Sequence, residues 1–179
     1  MSKVLSALAL AGVCLTSTPI YADNVDVALV AFHGTCLAHG PDFERTVAAA
    51  GQLRWAPLSG ATATSLAPAD IDSVEAVQGW TPSGSDMPAR TMVAVTKATL
   101  NGKAVETCSM TLSDIDRPAF EKRFFERTDA EKIGEERNGA QVSSVYILIA
   151  GNRKQLVHLM SASSTDTQSM FIASSIAAD

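Results

Sequence analysis

Apolar and polar positions alternate most regularly on the two sides of the Asn-Gly pair at 101–102. Asn-Gly tolerates the positive φ of a two-residue type I′ turn, so the pattern predicts a β-hairpin whose register the turn fixes. In that register Val95 lies opposite Cys108. Val93 then lies opposite Met110, and the period of two places these four side chains on one face. We expect that face to point into the core.

Two segments carry apolar residues at helical spacing after residues that favour a helix start. The first predicts a helix over about 41–50, with Pro41 at the first helical position. The second predicts a helix over about 117–127, in which Phe120 and Phe124 form an apolar stripe. Both helices are expected to pack an apolar side against the sheet.

Residues beyond 140 predict a second hairpin followed by a helix. Val142–Ala150 and Leu156–Met160 are dense in β-forming residues and are separated by a turn sequence. Thr165–Gln168 fits a capping box, in which the two end side chains satisfy free amide groups at a helix start. Apolar residues follow at helical spacing from Met170 onward, so a closing amphipathic helix is predicted.

Three stretches lack a clear period. Residues 23–39 are apolar enough to pack against a core, but they favour neither strand nor helix. Residues 56–89, rich in Ala, Ser, Thr, Gly and Pro, are interpreted as a long irregular loop with one short element at Ser73–Thr81. The alternative for this loop is a lid over a binding site, because long unstructured connections are often functional. The charged residues 128–139 are predicted to form a loop.

This order of elements predicts an α+β fold. We expect a two-layer sandwich in which an antiparallel sheet of two hairpins, about four to five strands, packs against about three helices. The order is similar to that of the fold of bacterial secretion chaperones of the helix, three strands, helix, two strands, helix type. This likeness concerns the fold and carries no function. A single domain is expected over 23–179.

The first 22 residues have the layout of a secretory signal peptide. Lys3 is the only charge before the apolar run Val4–Leu15, and Ala22 is a small residue at the exit. We expect cleavage after Ala22 and an exported protein without a stable membrane anchor, because the run is shorter than the roughly 20 residues of a spanning helix. Lipidation at Cys14 and an uncleaved anchor are the alternatives.

The charge balance restricts the partners. Removal of residues 1–22 takes away Lys3 from 14 Lys plus Arg and nothing from 19 Asp plus Glu, which leaves a formal charge of −6. Nucleic acids and anionic lipid surfaces need a clustered basic face, so an acidic chain disfavours both. We therefore expect any macromolecular partner to be another protein.

Two cysteines, Cys36 and Cys108, remain after removal of the leader. An even pair in an oxidising compartment predicts one disulfide. Closing a loop of roughly 70 residues would stabilise the fold by about 4 kcal/mol if the entropy of the unfolded chain is the mechanism.

A metal site is one alternative use of these residues. His33, Cys36 and His39 are spaced three apart, and Cys108 would complete the four ligands of a tetrahedral zinc site. Such a site needs a helical backbone between 33 and 39, which the Gly-Pro pair at 40–41 leaves little room for. A disulfide beside two solvated histidines is the simpler interpretation.

A thiol enzyme is the second alternative. Cys36 precedes a predicted helix, which lowers a thiol pKa, and His158 on a late strand would act as its base. Pairing of Cys36 with Cys108 would remove this nucleophile.

Other chemical signals are weak. The carboxylate pairs Asp70 with Asp72 and Asp114 with Asp116 lack the ligand-rich loop of a calcium site, and the second pair is better explained as helix caps. The sequence contains no serine-nucleophile elbow, no Cys-x-x-Cys pair and no glycine-rich phosphate loop, so no cofactor is expected.

The leading hypothesis is a small exported, non-enzymatic protein that binds another protein, as an accessory, inhibitor or immunity-type factor of the bacterial periplasm. The competing hypothesis is a thiol- or metal-dependent enzyme that uses Cys36, His39 and His158.

Overall fold

The computed structural model describes residues 24–84, 86–138, 141–162 and 170–178. The predicted leader and cleavage site and the predicted capping box at Thr165–Gln168 lie outside these residues. In chain order the elements are α1 Asn24–Phe32, a π-helix His33–Leu37, α2 Phe43–Gln52, β1 Ala56–Pro57, α3 Gly60–Ser65, β2 Ser73–Thr81, β3 Val93–Leu100, β4 Lys103–Ser113, α4 Arg117–Arg127, β5 Glu131–Asn138, β6 Gln141–Ala150, β7 Arg153–Ala162 and β8 Met170–Ala178.

Within the described residues the strands form one antiparallel sheet of eight strands in the order β1-β2-β3-β4-β8-β7-β6-β5. Four α-helices accompany it. The predicted sandwich, with about four to five strands in two hairpins against about three helices, is therefore wrong. The order of elements also departs from that of the secretion chaperones, since two α-helices precede the sheet and the last described element is a strand.

Two strands account for most of this difference. The predicted closing helix is β8, whose side chains are buried on both faces because it lies in the middle of the sheet. A strand buried on both sides has no simple alternation and is easily confused with a helix. The segment 128–139, predicted to be a loop, contains the edge strand β5. Its charged residues contact solvent, so the sequence shows no alternation of apolar and polar residues that would indicate a strand.

The predicted hairpin register and helix positions agree more closely with the structure than the predicted sheet does. The hairpin has the predicted register, with Val95 opposite Cys108 and Val93 opposite Met110. Helix α4 has the predicted bounds, and the Asp116 side chain caps it by accepting the Ala119 amide at 3.0 Å. Helix α2 begins two residues later than predicted, after the capping residue Asp42. The ambiguous stretch 23–39 is helical.

One face of the sheet, here called the helix face, packs against α1, α2 and α4. Phe120 of α4 meets Phe171 of β8 edge to face at 5.1 Å between ring centroids, and Phe32 of α1 lies beside Phe120. The main core forms between these aromatic rings and the sheet, and it includes the buried residues Val93, Val95, Met110, Leu112, Val157 and Leu159.

The opposite face, here called the α3 face, is crossed by residues 58–72. Ala63 and Leu66 of this segment are buried, and Ile71 packs against a second small cluster made of Ala98, Val105 and Ile176. Residues 56–89 therefore contain a helix and two strands, and the prediction of a long irregular loop was wrong in this respect. The element predicted at Ser73–Thr81 is β2, as expected.

In the described part of the chain, no helix is both long and apolar enough to cross a membrane.

Candidate functional site

A cleft of about 270 Å³ opens on the α3 face where residues 58–72 end their path across the sheet. Pro68, Ala69 and Asp70 form one wall, and Glu136 of β5 stands on the other side. The floor is made of the sheet residues Ser143, Val145, Met160, His158 and Ser174. We call it the acceptor cleft, because oxygen and nitrogen acceptors line much of it.

The pairing of three strands creates the floor. Val145 of β6 lies opposite His158 of β7, and His158 lies opposite Ser174 of β8. Neighbours in such a row have their side chains on the same face, with Cβ atoms about 5 Å apart. Ser174 in turn lies opposite Ser109 of β4, so the row continues beneath residues 58–72, here called the α3 segment.

His158 lies against the wall of the cleft. Its Nδ1 is 3.3 Å from Asp70 Oδ2, and its side chain is 14% exposed whereas that of Asp70 is 65% exposed. Burial lowers the pKa of His158 below its ordinary value, and the nearby carboxylates of Asp70 and Glu136 only partly oppose this effect. The imidazole is therefore neutral at pH 7 and does not cancel the two negative charges.

The serine beside His158 is not arranged as a nucleophile. Ser174 is 3% exposed, and its Oγ lies 2.8 Å from Ser109 Oγ, so the two hydroxyls satisfy one another beneath the floor. An attacking hydroxyl needs access to substrate and a base within hydrogen-bond reach. Asp70, His158 and Ser174 therefore make an acceptor-rich floor rather than a reactive triad.

The predicted disulfide is present, but the residues of the alternative metal and thiol-enzyme sites do not come together. Cys36 of the π-helix forms a disulfide with Cys108 of β4, with 5.3 Å between their Cα atoms, and both are fully buried on the helix face. His158 lies on the other face of the sheet, while His33 and His39 are exposed. Among the described residues, no three His, Cys, Asp or Glu side chains are grouped so that they would hold a metal ion.

The carboxylate pairs weighed for calcium have separate structural partners. Asp72 accepts the Gly102 amide at 3.1 Å and so supports the hairpin turn. Asp116 caps α4, as predicted, but Asp114 instead forms an ion pair with Arg90. Asp70 reaches His158, a role that its spacing from Asp72 does not indicate.

A second polar cluster joins α4 to the sheet on the helix face. Arg117 donates to Val142 O at 3.1 Å and to Ser144 and Ser161 at 2.8 Å each, and Tyr146 donates to Glu121 at 2.7 Å. Burial and the Glu121 carboxylate raise the pKa of Tyr146 above its ordinary value. Apart from Arg117 Nε, which has no hydrogen-bond partner among the described residues, these groups bond to one another, so we interpret the cluster as structural.

Comparison with protein-family models, with curated protein sequences and with solved structures finds no match.

Proposed function

We propose that this chain is an exported, non-enzymatic binding protein of the bacterial periplasm, acting as an accessory, inhibitor or immunity-type factor. It binds a basic partner protein through the acceptor cleft. The signal-peptide pattern of residues 1–22 and the Cys36–Cys108 disulfide support export, since disulfides persist in oxidising compartments.

The observation that carries the proposal is the pair of unneutralised carboxylates in the acceptor cleft. Within the described residues, Glu136 has no ion-pair partner, and Asp70 faces only the neutral imidazole of His158. Carboxylates accept but do not donate, so the cleft favours a group with several N–H donors and a positive charge. Val145 and Met160 offer apolar surface to the stem of a lysine or arginine side chain.

An apolar strip continues from the floor of the cleft along β6 and β7. It consists of Ile147 opposite Leu156, both half-buried, and Ile149, which is 76% exposed. A patch of this kind beside a charged pocket is typical of a protein interface with an apolar centre and a polar rim. The formal charge of −6 would also steer a basic partner toward the chain.

The competing enzyme hypothesis has no assembled site. The Cys36 sulfur is bonded to Cys108, and His158 lies across the sheet from it. His39 is on the helix side, so Cys36, His39 and His158 do not share a cleft.

Photo-crosslinking from two matched positions tests the proposal. A photoreactive residue replaces Ile149 in the apolar strip or, as control, Val30 on α1, which is 61% exposed. Each protein is incubated with periplasmic extract and irradiated, and its adducts are identified by mass spectrometry. We expect one basic protein to be captured from position 149 and not from position 30.

The double variant Asp70→Asn with Glu136→Gln, made in the position-149 protein, should abolish this capture, and raised salt should weaken it. Equal capture from both positions, or capture that the double variant leaves unchanged, would contradict the proposal. Export is checked separately, because the intact mass of the secreted protein should correspond to a chain that begins at Asp23.

A further inference from the structure

A second cleft, of about 350 Å³, lies between the π-helical turn, α2 and the residues that follow α2. Its lining includes His39, Arg45, Ala49, Leu53, Trp55 and Met87. We call it the arginine cleft. It lies among the helices, away from the acceptor cleft, and the inference drawn from it does not rest on the proposed function.

Two anchors hold the wall formed by the π-helical turn. The disulfide ties Cys36 to β4, and the buried Gln155 of β7 donates to Leu37 O at 3.0 Å. Gln155 also accepts from Ser175 at 2.6 Å, so its amide is fixed in turn. A wall held in this way gives a ligand a preformed surface.

Arg45 is the only lysine or arginine that lines the arginine cleft. Its guanidinium donates to Gly40 O at 3.0 Å and forms no ion pair with any residue that the structure describes. The Asp42 carboxylate is occupied at the helix start, where it accepts the Arg45 amide at 2.9 Å. A guanidinium without a counter-ion has N–H donors left for an anion, and its planar geometry matches a carboxylate.

The rest of the lining is mainly apolar. Trp55 is buried, Met87 is half-buried against the main core, and Leu53 stands exposed at the rim. If a non-hydrogen atom occupies roughly the 30 Å³ of a water molecule, the cleft has room for about a dozen such atoms. That is the size of a carboxylate with a short hydrocarbon chain.

We propose that the arginine cleft binds a free medium-chain fatty acid, with the carboxylate on Arg45 and the hydrocarbon chain along Trp55 and Met87. A phospholipid does not fit this description, because its two acyl chains exceed the space. The ligand class follows from one cation beside an apolar lining.

Trp55 fluorescence provides the measurement. The chain has two tryptophans, so Trp80→Phe leaves Trp55 as the only one. Octanoate should change the emission of this protein saturably, whereas octylamine should not, because its ammonium is repelled by Arg45. The absence of a saturable change with octanoate up to its solubility limit would overturn the proposal.

Variants made in the Trp80→Phe protein separate binding from folding. Arg45→Met should weaken octanoate binding by about tenfold or more, the loss expected for a charge-assisted hydrogen bond, and Arg45→Lys, which keeps the charge but not the planar donors, should weaken it less. Leu53→Glu places a negative charge at an exposed rim position and should also weaken binding in a protein that still unfolds cooperatively. Arg54→Met, at a neighbouring exposed position outside the lining, is the matched control and should have no effect. Unchanged octanoate affinity in both Arg45→Met and Leu53→Glu would overturn the proposal.

Discussion

Asp70 and His158 meet at the wall of the acceptor cleft, where Oδ2 of the carboxylate lies 3.3 Å from Nδ1 of the imidazole. Asp70 belongs to the segment that crosses the α3 face, and His158 belongs to β7. The contact therefore joins the α3 segment to the sheet. It also makes the charge of the acceptor cleft depend on whether His158 is protonated.

The pKa of His158 should make stability depend on pH. Burial lowers this pKa below 6.5 in the folded state, so the folded protein binds the proton less tightly than the unfolded chain does. The free energy of unfolding is then fully retained above pH 6.5 and falls as the pH drops from 6.5 through the lowered pKa. Urea unfolding of the wild type and of His158→Gln between pH 5 and pH 7.5 measures this contribution. An identical pH dependence in both proteins would contradict it.

Removal of the Asp70 charge should lower the pKa of His158 further, since Asp70 raises that pKa against the effect of burial. Proton NMR titration of His158 in Asp70→Asn tests this expectation. Asp72→Asn is the matched control, because Asp72 accepts the Gly102 amide and does not approach the imidazole. A pKa that rises or stays unchanged in Asp70→Asn would show that the two residues do not interact.

Gly79 of β2 lets the α3 segment approach the sheet closely. A Cβ atom at this position would lie 3.0 Å from Ala63 Cβ and 3.1 Å from both Leu58 Cδ1 and Val93 O. Gly79→Ala should therefore lower the free energy of unfolding by about 1–3 kcal/mol, as overpacking usually does. Gly51→Ala in α2, where nothing lies within 4 Å, should instead raise it by roughly 0.5–1 kcal/mol. Chemical denaturation measures both, and effects of the same sign would count against this packing.

Loss of the disulfide should be costly. Cys36→Ser or Cys108→Ser should lower the free energy of unfolding by about 2–5 kcal/mol, the usual range for a small secreted domain. Non-reducing peptide mapping of the purified wild-type protein should recover the Cys36 and Cys108 peptides joined. Recovery of both as free thiols would refute the bridge.

Arg117 should contribute more to stability than the other cations of α4. Arg117→Met leaves Val142 O, Ser144 and Ser161 without their donor, and about 1–3 kcal/mol is expected for such a buried loss. The control Lys122→Met removes only a solvent-exposed ion pair with Glu126 and should cost less than about 0.5 kcal/mol. Thermal and urea unfolding compare the two variants, and equal losses would contradict a special role for Arg117.

The parts of the fold that the sequence predicts well are those decided by neighbouring residues. The Asn-Gly turn at 101–102 sets the hairpin register, and Asp116 sets the start of α4. The position of a strand in the sheet is decided by distant residues. In β8 the buried side chains of Phe171, Ala173, Ile176 and Ala177 resemble one side of a helix, although they pack on two faces of a sheet.

The acceptor cleft, too, is formed by residues that are far apart in the sequence. His158 is recognisable in the sequence as a titratable residue among apolar neighbours. Its partner Asp70 is brought near only because residues 58–72 cross the α3 face, and Ser174 is brought near only because β8 pairs with β7. No local spacing encodes either contact, and the only partner that the sequence offers for His158, in the thiol-enzyme alternative, is Cys36.

Strand β8 lies between β4 and β7, although it is the latest of the described strands along the sequence. The ladders β2–β4 and β5–β7 can therefore pair before β8 is available, and until then each ends in an unpaired edge. Most side chains along these two edges belong to the finished interior, and charged residues are fewer there than in β5. Pairing between distant segments is slow, and exposed edges promote aggregation. The rate at which β8 inserts thus determines how long each newly made chain remains vulnerable.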